Sequence, residues 1–415
     1  MVITKNELSA FVARSDELGG PGQPATADYW TDFRYQPTVT VDTTLPPDSD
    51  EYFQQMQSLY CEMSGRKIDQ KANEFTHFNV NELVNLESPY AFQGPNSRIA
   101  HYLRLATPLH TANLNQDAPV LDMGCGWGIS SEFLAQLGFD VSAVDINPLF
   151  VELVRRRAER LGLRIKVTES SFDEYTAASF SYDAVLFYEC FHHVINPRSL
   201  LKNIYSFLKN RGKLILVGEP IQDTWWPNWG LRLDPMSVYC INKFGWFESG
   251  WSEHYLKKIL SENNFMPAFH CHPDPLIGKF VIAEKEWRLD KSELVNCALN
   301  DQWWIEDEWL ISNRSGNRSS LLVKKPKDAC TIAFRLWNFS PINLNIVMRI
   351  GLIEKLAELK SGVNHLSMDC LRTDQDLTCD FICSSWCPQV LAGTDDGRNM
   401  GFHLKDISFG WENEV

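Results

Sequence analysis

Chemistry in this chain concentrates where glycines and carboxylates are closely spaced. Residues 119–128 read Pro119-Val-Leu-Asp122-Met-Gly124-Cys-Gly126-Trp-Gly128. An apolar strand ends in an acid and turns through alternate glycines, and an apolar-periodic helix over 129–137 leaves the turn. Such a turn lays bare main chain against a ligand, and the free amides at the helix start attract anionic or polar groups. That is the geometry of a nucleotide site. A second strand, 139–145, ends in Asp145, placed to accept hydrogen bonds from a ribose diol. The dinucleotide fingerprint needs its last glycine three places beyond the second. Here that place is Ile129 and the glycine stands at Gly128, which counts against a nicotinamide cofactor.

These residues resemble the first strand and turn of the class I S-adenosylmethionine-dependent methyltransferases. The resemblance runs over residues 95–285, under half of the chain. It takes in Asp145, the segment Tyr182-Asp-Ala-Val-Leu-Phe-Tyr188-Glu189-Cys-Phe-His192-His193-Val, and a helix feeding a strand over 200–219. It implies an α/β fold: a Rossmann-like seven-stranded methyltransferase sheet with S-adenosyl-L-methionine as cofactor. Asp122, Gly124, Gly126 and Gly128 would then surround the methionine and ribose, and Asp145 would take the ribose hydroxyls. Ser171 and Phe172 would lie near the adenine, and Tyr188 would complete the cofactor contacts.

His192 and His193 follow the fourth strand, at the rim where this family places the transferable methyl. The sulfonium already activates that methyl, so the protein mainly aligns the acceptor and excludes water. An alcohol acceptor must also lose its proton, and histidine titrates near neutral pH. His192 is taken ahead of His193 as the base. Glu189 and Glu219, at the ends of the fourth and fifth strands, come next, Glu219 as an acceptor contact.

A long aromatic loop over 219–250 carries Trp225, Trp226, Trp229 and Trp246. Open α/β folds bind ligands at the carboxyl ends of their strands, so Trp225, Trp226 and Trp229 are candidate acceptor contacts; a packed lid is the alternative. Aromatic faces stack on sugars and phenols alike. No histidine–carboxylate cluster in the sequence specifies a metal ligand, so none is assigned, and magnesium, which some sugar methyltransferases use, is left open.

The elements that must position these groups follow in order. Residues 1–50, rich in Gly, Pro, Asp and Thr, predict little regular structure. Helical periodicity over 51–110 predicts an amino-terminal helical cap, with Tyr52, Tyr90 and Arg98 as positional candidates for the pocket. The expected domains are an extension and cap over 1–110, the cofactor domain over 111–288, a linker over 289–320 and a β-sandwich over 321–415. The sandwich rests on short alternating strands. Cys379, Cys383 and Cys387 fall on one face of an extended strand and read as small buried hydrophobes.

A net charge of −14 over 415 residues argues against nucleic acid or anionic lipid as partner. The segment after the fourth strand also lacks the proline-rich signature that DNA amino-methylases share. Eleven scattered cysteines, no leader-like start and no long apolar run lead to the expectation of a cytoplasmic chain without a transmembrane segment. The end of the chain resembles jelly-roll-like domains on bacterial glycan-assembly proteins. That favours O-methylation of a saccharide or lipid-linked glycan. A small natural product or lipid acceptor, and a cofactor-binding scaffold without turnover, remain alternatives, and a homodimer is left open.

Overall fold

The computed structural model describes all residues except 92–93, 223–225, 287, 290–293, 295–296, 299–302, 307–308, 314–317, 326–328, 371–375, 396–397, 399 and 411–415. The chain divides into two units, Met1–Lys285 and Glu286–Val415.

The first unit is built on a sheet of strands β1 (Pro119–Met123), β2 (Asp140–Asp145), β3 (Ile165–Glu169), β4 (Tyr182–Tyr188), β5 (Leu208–Val217), β6 (Phe265–Cys271) and β7 (Lys279–Lys285). Their order across the sheet is 3-2-1-4-5-7-6. Strands β1 to β5 run parallel, while β7 lies antiparallel to both β5 and β6. Strict alternation explains why both faces are covered. Leu121, Met123, Val185 and Phe187 enter one core, and Val120, Ala184, Leu186 and Ile215 enter the other. The order reverses beside β1, so the carboxyl ends of β1, β2 and β4 open a crevice there.

Helices seal the sheet where the sequence supplies caps. Asn147 Oδ1 accepts from Leu149 N at 3.0 Å, starting Pro148–Leu161, and Asn196 Oδ1 accepts from Ser199 N at 3.1 Å, starting Pro197–Phe207. Each has proline in its first turn, where the missing amide costs nothing.

Residues 1–50 are more ordered than their composition predicts. They form the helices Leu8–Glu17 and Pro24–Trp30 and a parallel pair, Val2–Ile3 with Arg34–Tyr35. Phe11, Val12 and Tyr35 are buried in the same core as helix Asp50–Ser64 and one face of the sheet. The Tyr35 hydroxyl donates to Glu62 at 2.7 Å. Docked aromatics, invisible to local propensity, overcome the turn-forming residues between them.

The second unit consists of antiparallel strands. One sheet holds Trp303–Glu306, Trp309–Asn313, Met400–Gly410, Thr331–Asn338 and Gly362–Asp369, with Arg288–Leu289 beside Met400–Gly410. The other holds Arg318–Val323, Leu377–Cys383, Leu344–Ile350 and Ile353–Leu359. Phe334 and Leu336 from the first share one apolar cluster with Ile346, Met348 and Phe381 from the second. Segment 289–320, expected as a linker, therefore contributes paired strands. Its charged and polar composition hides inward residues such as Trp303, Leu310 and Ile311. Cys379 and Cys383 are buried on one strand face, whereas the strand ends before Cys387, which precedes the turn Pro388–Ala392. Among the described residues, no helix is long and apolar enough to cross a membrane.

Candidate functional site

A cavity of about 270 Å³ opens at the crevice of the first unit. Its floor is the glycine turn. Gly124 and Gly126 have φ of +74° and +48°, in the left-handed region that favours glycine. A Cβ on Gly126 would meet nothing within 4 Å, so bare backbone faces the opening. A Cβ on Gly124 would come within 2.8 Å of Cys190 Sγ, which locks the β1 turn against the end of β4.

Asp145 stands across from the turn. Its Oδ2 accepts from Gly126 N at 2.8 Å and its Oδ1 from Asn147 N at 2.9 Å. An ionised carboxylate offers about four acceptor positions, so a diol can still be held. Burial pushes its pKa up to about 6, against the pull of those two amides.

Ser171, Phe172 and Tyr188 line the cavity, as do Glu189 and His193. Asp122 and Gly128 do not line it; they support it from behind. Asp122 is fully buried and accepts from Ser130 and Ser131 hydroxyls at 2.7 and 2.5 Å, bracing the helix start. Its pKa is raised to about 6 by burial. Gly128 opens helix Ile129–Gln136 at φ +88°, and a Cβ there would strike Val154 Cγ2 at 2.8 Å. Its lack of a side chain serves packing.

The other end of the cavity departs from the sequence expectation. His193 is on the wall and His192 is turned away from it. Glu219 explains the orientation. Its Oε1 accepts from Cys190 N at 3.0 Å and Phe191 N at 2.9 Å, and its Oε2 from His192 N at 3.0 Å and the His192 ring Nδ1 at 2.9 Å. This buried carboxylate, held near pKa 7 by desolvation, caps the turn Phe191–His193 and does not line the cavity.

Trp226 and Trp229 are packing residues. Their indole N–H groups donate to Leu231 O and Pro47 O, both at 2.8 Å, and neither lines the cavity. Trp225 lies outside the described residues. The loop tryptophan that reaches the cavity is Trp246, whose Nε1 is buried without a hydrogen-bond partner.

Sequence reasoning did not single out Glu74, Gln70 or Thr76, all cavity-lining residues of the cap. Glu74 Oε2 lies 3.4 Å from His193 Nδ1, and its Oε1 accepts from Phe247 N at 2.8 Å. Burial raises the Glu74 pKa and lowers that of His193 to about 4, against the pull of Glu74. The imidazole is therefore neutral at neutral pH. Gln70 Nε2 donates to His193 O at 2.8 Å, and Asn147 Nδ2 to Thr76 O at 2.8 Å, pinning the cap to both ends of the cavity. Tyr90 also lines it, stacked on His101 at 4.3 Å, with His101 Nδ1 2.5 Å from the Tyr188 hydroxyl. Glu189 Oε1 is paired with the Arg104 guanidinium, so it enters the cavity as a neutralised carboxylate. Tyr52 and Arg98, the remaining positional candidates, do not line it.

Residues 120–212 match the family model described as a methyltransferase domain. With the strand order and the glycine turn, the matched part of the first unit is similar to the S-adenosylmethionine-dependent methyltransferases. Its cofactor is S-adenosyl-L-methionine. The residues fit it: open backbone at Gly126, acceptor capacity left on Asp145, and Ser171 with Phe172 beside them on the wall.

Among curated proteins, the chain is 37% identical over 100 residues to the ubiquinone biosynthesis O-methyltransferase of Xanthomonas axonopodis pv. citri (strain 306). That match covers 24% of this chain and 42% of the relative. It is 31% identical over 153 residues to the mitochondrial counterpart of Schizosaccharomyces pombe, covering 35% and 54%. The chain thus spans about half or less of the relatives it matches. A methyltransferase structure from Aquifex aeolicus aligns at 18% identity and TM-score 0.36, covering 50% of this chain and 100% of that one. The 1,6-didemethyltoxoflavin-N1-methyltransferase of Burkholderia thailandensis aligns at 21% and 0.36, covering 46% and 80%.

Proposed function

We propose that this chain is an S-adenosylmethionine-dependent O-methyltransferase that uses His193 as general base toward a hydroxyl acceptor. One observation carries the reading. A single cavity joins a ribose-binding carboxylate, Asp145, to a neutral histidine with its own carboxylate partner, Glu74. When bound, the cofactor supplies an electrophilic methyl. The protein has to hold the acceptor in line, exclude water and remove one proton. His193 takes that proton, and the half-buried Glu74, its Oε2 3.4 Å from Nδ1, steadies the imidazolium that results. Glu219 fixes the turn that aims His193, and Trp246 contributes an aromatic wall beside it.

The modest cavity, about 270 Å³, favours a small hydroxylated molecule or a single sugar unit. The curated relatives, named for ubiquinone biosynthesis, are in keeping with a hydroxylated ring. A longer saccharide gripped by the second unit is the second reading. It is favoured by Trp337, half-buried on the outer side of its strand with Lys405 Nζ 5.0 Å from the ring centroid. Sugars stack on such faces.

Incubating the full chain with methyl-labelled cofactor and separate panels of phenols, sugars and amines tests the proposal. Label in an O-methyl ether is expected. Label found only on nitrogen or carbon would falsify the base assignment.

A further inference from the structure

His192 and His193 stand side by side after β4, their ring centroids 4.4 Å apart. Glu248, beside the short strand Ser249–Trp251, reaches them from the aromatic loop, its Oε2 3.6 Å from His192 Nε2. One ring nitrogen of each histidine and a Glu248 oxygen all fall within 4.8 Å of one another. Ligand atoms held at ~2.0–2.1 Å by a tetrahedral ion sit about 3.3 Å apart. A 3.6 Å gap is thus close to that of two ligands on one ion, and too long for a hydrogen bond.

The surroundings also match an ion. Metal-binding histidines characteristically hand their second ring nitrogen to a carboxylate, which fixes the tautomer. Here His192 Nδ1 is hydrogen-bonded to Glu219 Oε2 at 2.9 Å, while His193 Nδ1 is buried without a hydrogen-bond partner, 3.4 Å from Glu74 Oε2. Charge points the same way. Glu74, Glu219 and Glu248 converge on this cluster, Glu219 and Glu248 buried. The guanidinium beside them, Arg232, is shared between Asp234 at 3.0 Å and Glu248 at 3.5 Å. Buried negative charge in excess is costly unless a cation balances it.

We propose that His192, His193 and Glu248 form a site for a divalent transition metal of the zinc type at the acceptor end of the cleft. Two imidazoles and one carboxylate suit Zn²⁺, Co²⁺ or Fe²⁺; Mg²⁺ prefers oxygen ligands. Three protein ligands leave a fourth position open, and His193 brings it to the cavity wall. With the ion bound, His193 would serve as a ligand and not as the base; a hydroxyl at the open position would be acidified and would give its proton to Glu74, a carboxylate on the same cavity wall. The site itself stands independently of which acceptor the enzyme takes.

The test uses the full chain, stripped with chelator, then titrated with Zn²⁺ by calorimetry and with Co²⁺ by visible absorption. One ion per chain is expected, with the absorption bands of a four- or five-coordinate Co²⁺. Binding should weaken at least ~10-fold in Glu248→Gln and in His192→Asn, and stay unchanged in Glu262→Gln, a surface carboxylate paired with Arg198. Circular dichroism identifies a variant that fails to fold, in which case the other decides. A wild-type chain that takes up no ion, or equal affinity in wild type and either folded variant, overturns the proposal. Methyl transfer untouched by chelation yet lost in His193→Ala overturns the ion's part in the reaction and keeps the base.

Discussion

The two ends of the cleft are built in opposite ways. The cofactor end comes from consecutive chain: one strand, one turn, one helix and the next strand, 119–147, with Ser171 and Phe172 close behind. The end proposed for the acceptor is assembled from Glu74, Tyr90, His193 and Trp246, which no short stretch of sequence contains. At the first end, backbone amides and a carboxylate meet because adjacent parallel strands must place them there. At the second, a cap segment and a loop insertion meet only because each docks on the same sheet. Binding a common cofactor can be local, whereas choosing an acceptor draws on the whole unit.

Substitutions at the two ends should therefore separate binding from turnover. The largest effect is expected for His193→Ala, a fall in kcat of roughly 10²–10⁴ with cofactor affinity little changed, as for loss of a general base. Steady-state rates alongside calorimetry check it; a comparable loss in cofactor affinity would erase the division between the ends. Asp145→Ala should act in reverse. Losing hydrogen bonds to a charged acceptor costs ~1.5–3 kcal/mol, so the cofactor Kd should rise about 10- to 150-fold. Calorimetry showing unchanged affinity would remove Asp145 from the site.

Glu74→Gln comes next, with a kcat decrease of about 5- to 10-fold, the worth of one modest orienting contact. A rate equal to wild type would leave His193 without a partner that matters.

The pH profile sharpens the same contrast. Asp145 has its pKa raised to about 6, so cofactor affinity should weaken as pH falls through about 6 and the carboxylate takes a proton. His193 is lowered to about 4, so it is already neutral above that value. The turnover of the saturated enzyme should show no acid limb near 6.5, where an ordinary histidine would produce one. A limb there would mean that the base is exposed to solvent during turnover. The smallest effect belongs to Trp226→Phe. The acceptor KM should stay within about 2-fold, while loss of the bond to Leu231 O costs ~0.5–1.5 kcal/mol, read as a lower melting temperature.

The same division marks what was legible beforehand. Asp145, Gly124, Gly126, Ser171, Phe172 and Tyr188, which the resemblance named as cofactor contacts, line the cavity. Asp122 and Gly128, read as cofactor contacts, stand behind the turn instead of on the cavity wall, because spacing does not tell a residue that faces a cavity from one that braces the helix behind it. His192 and His193 were found as a pair, but which one turns inward depends on Glu219, twenty-seven positions further along. Glu74 and Trp246 carry no local signature.

What the sequence by itself determined is the sheet, the glycine turn and the cofactor end. Period-two apolar runs, proline-led caps and a left-handed glycine each dictate structure over a few residues, where chain connectivity limits the outcome. Tertiary structure alone decided the acceptor end, the ordering of the first fifty residues and the strands within 289–320. Those rest on burial of side chains brought together from distant segments, and the free energy of such burial depends on partners that local sequence does not name.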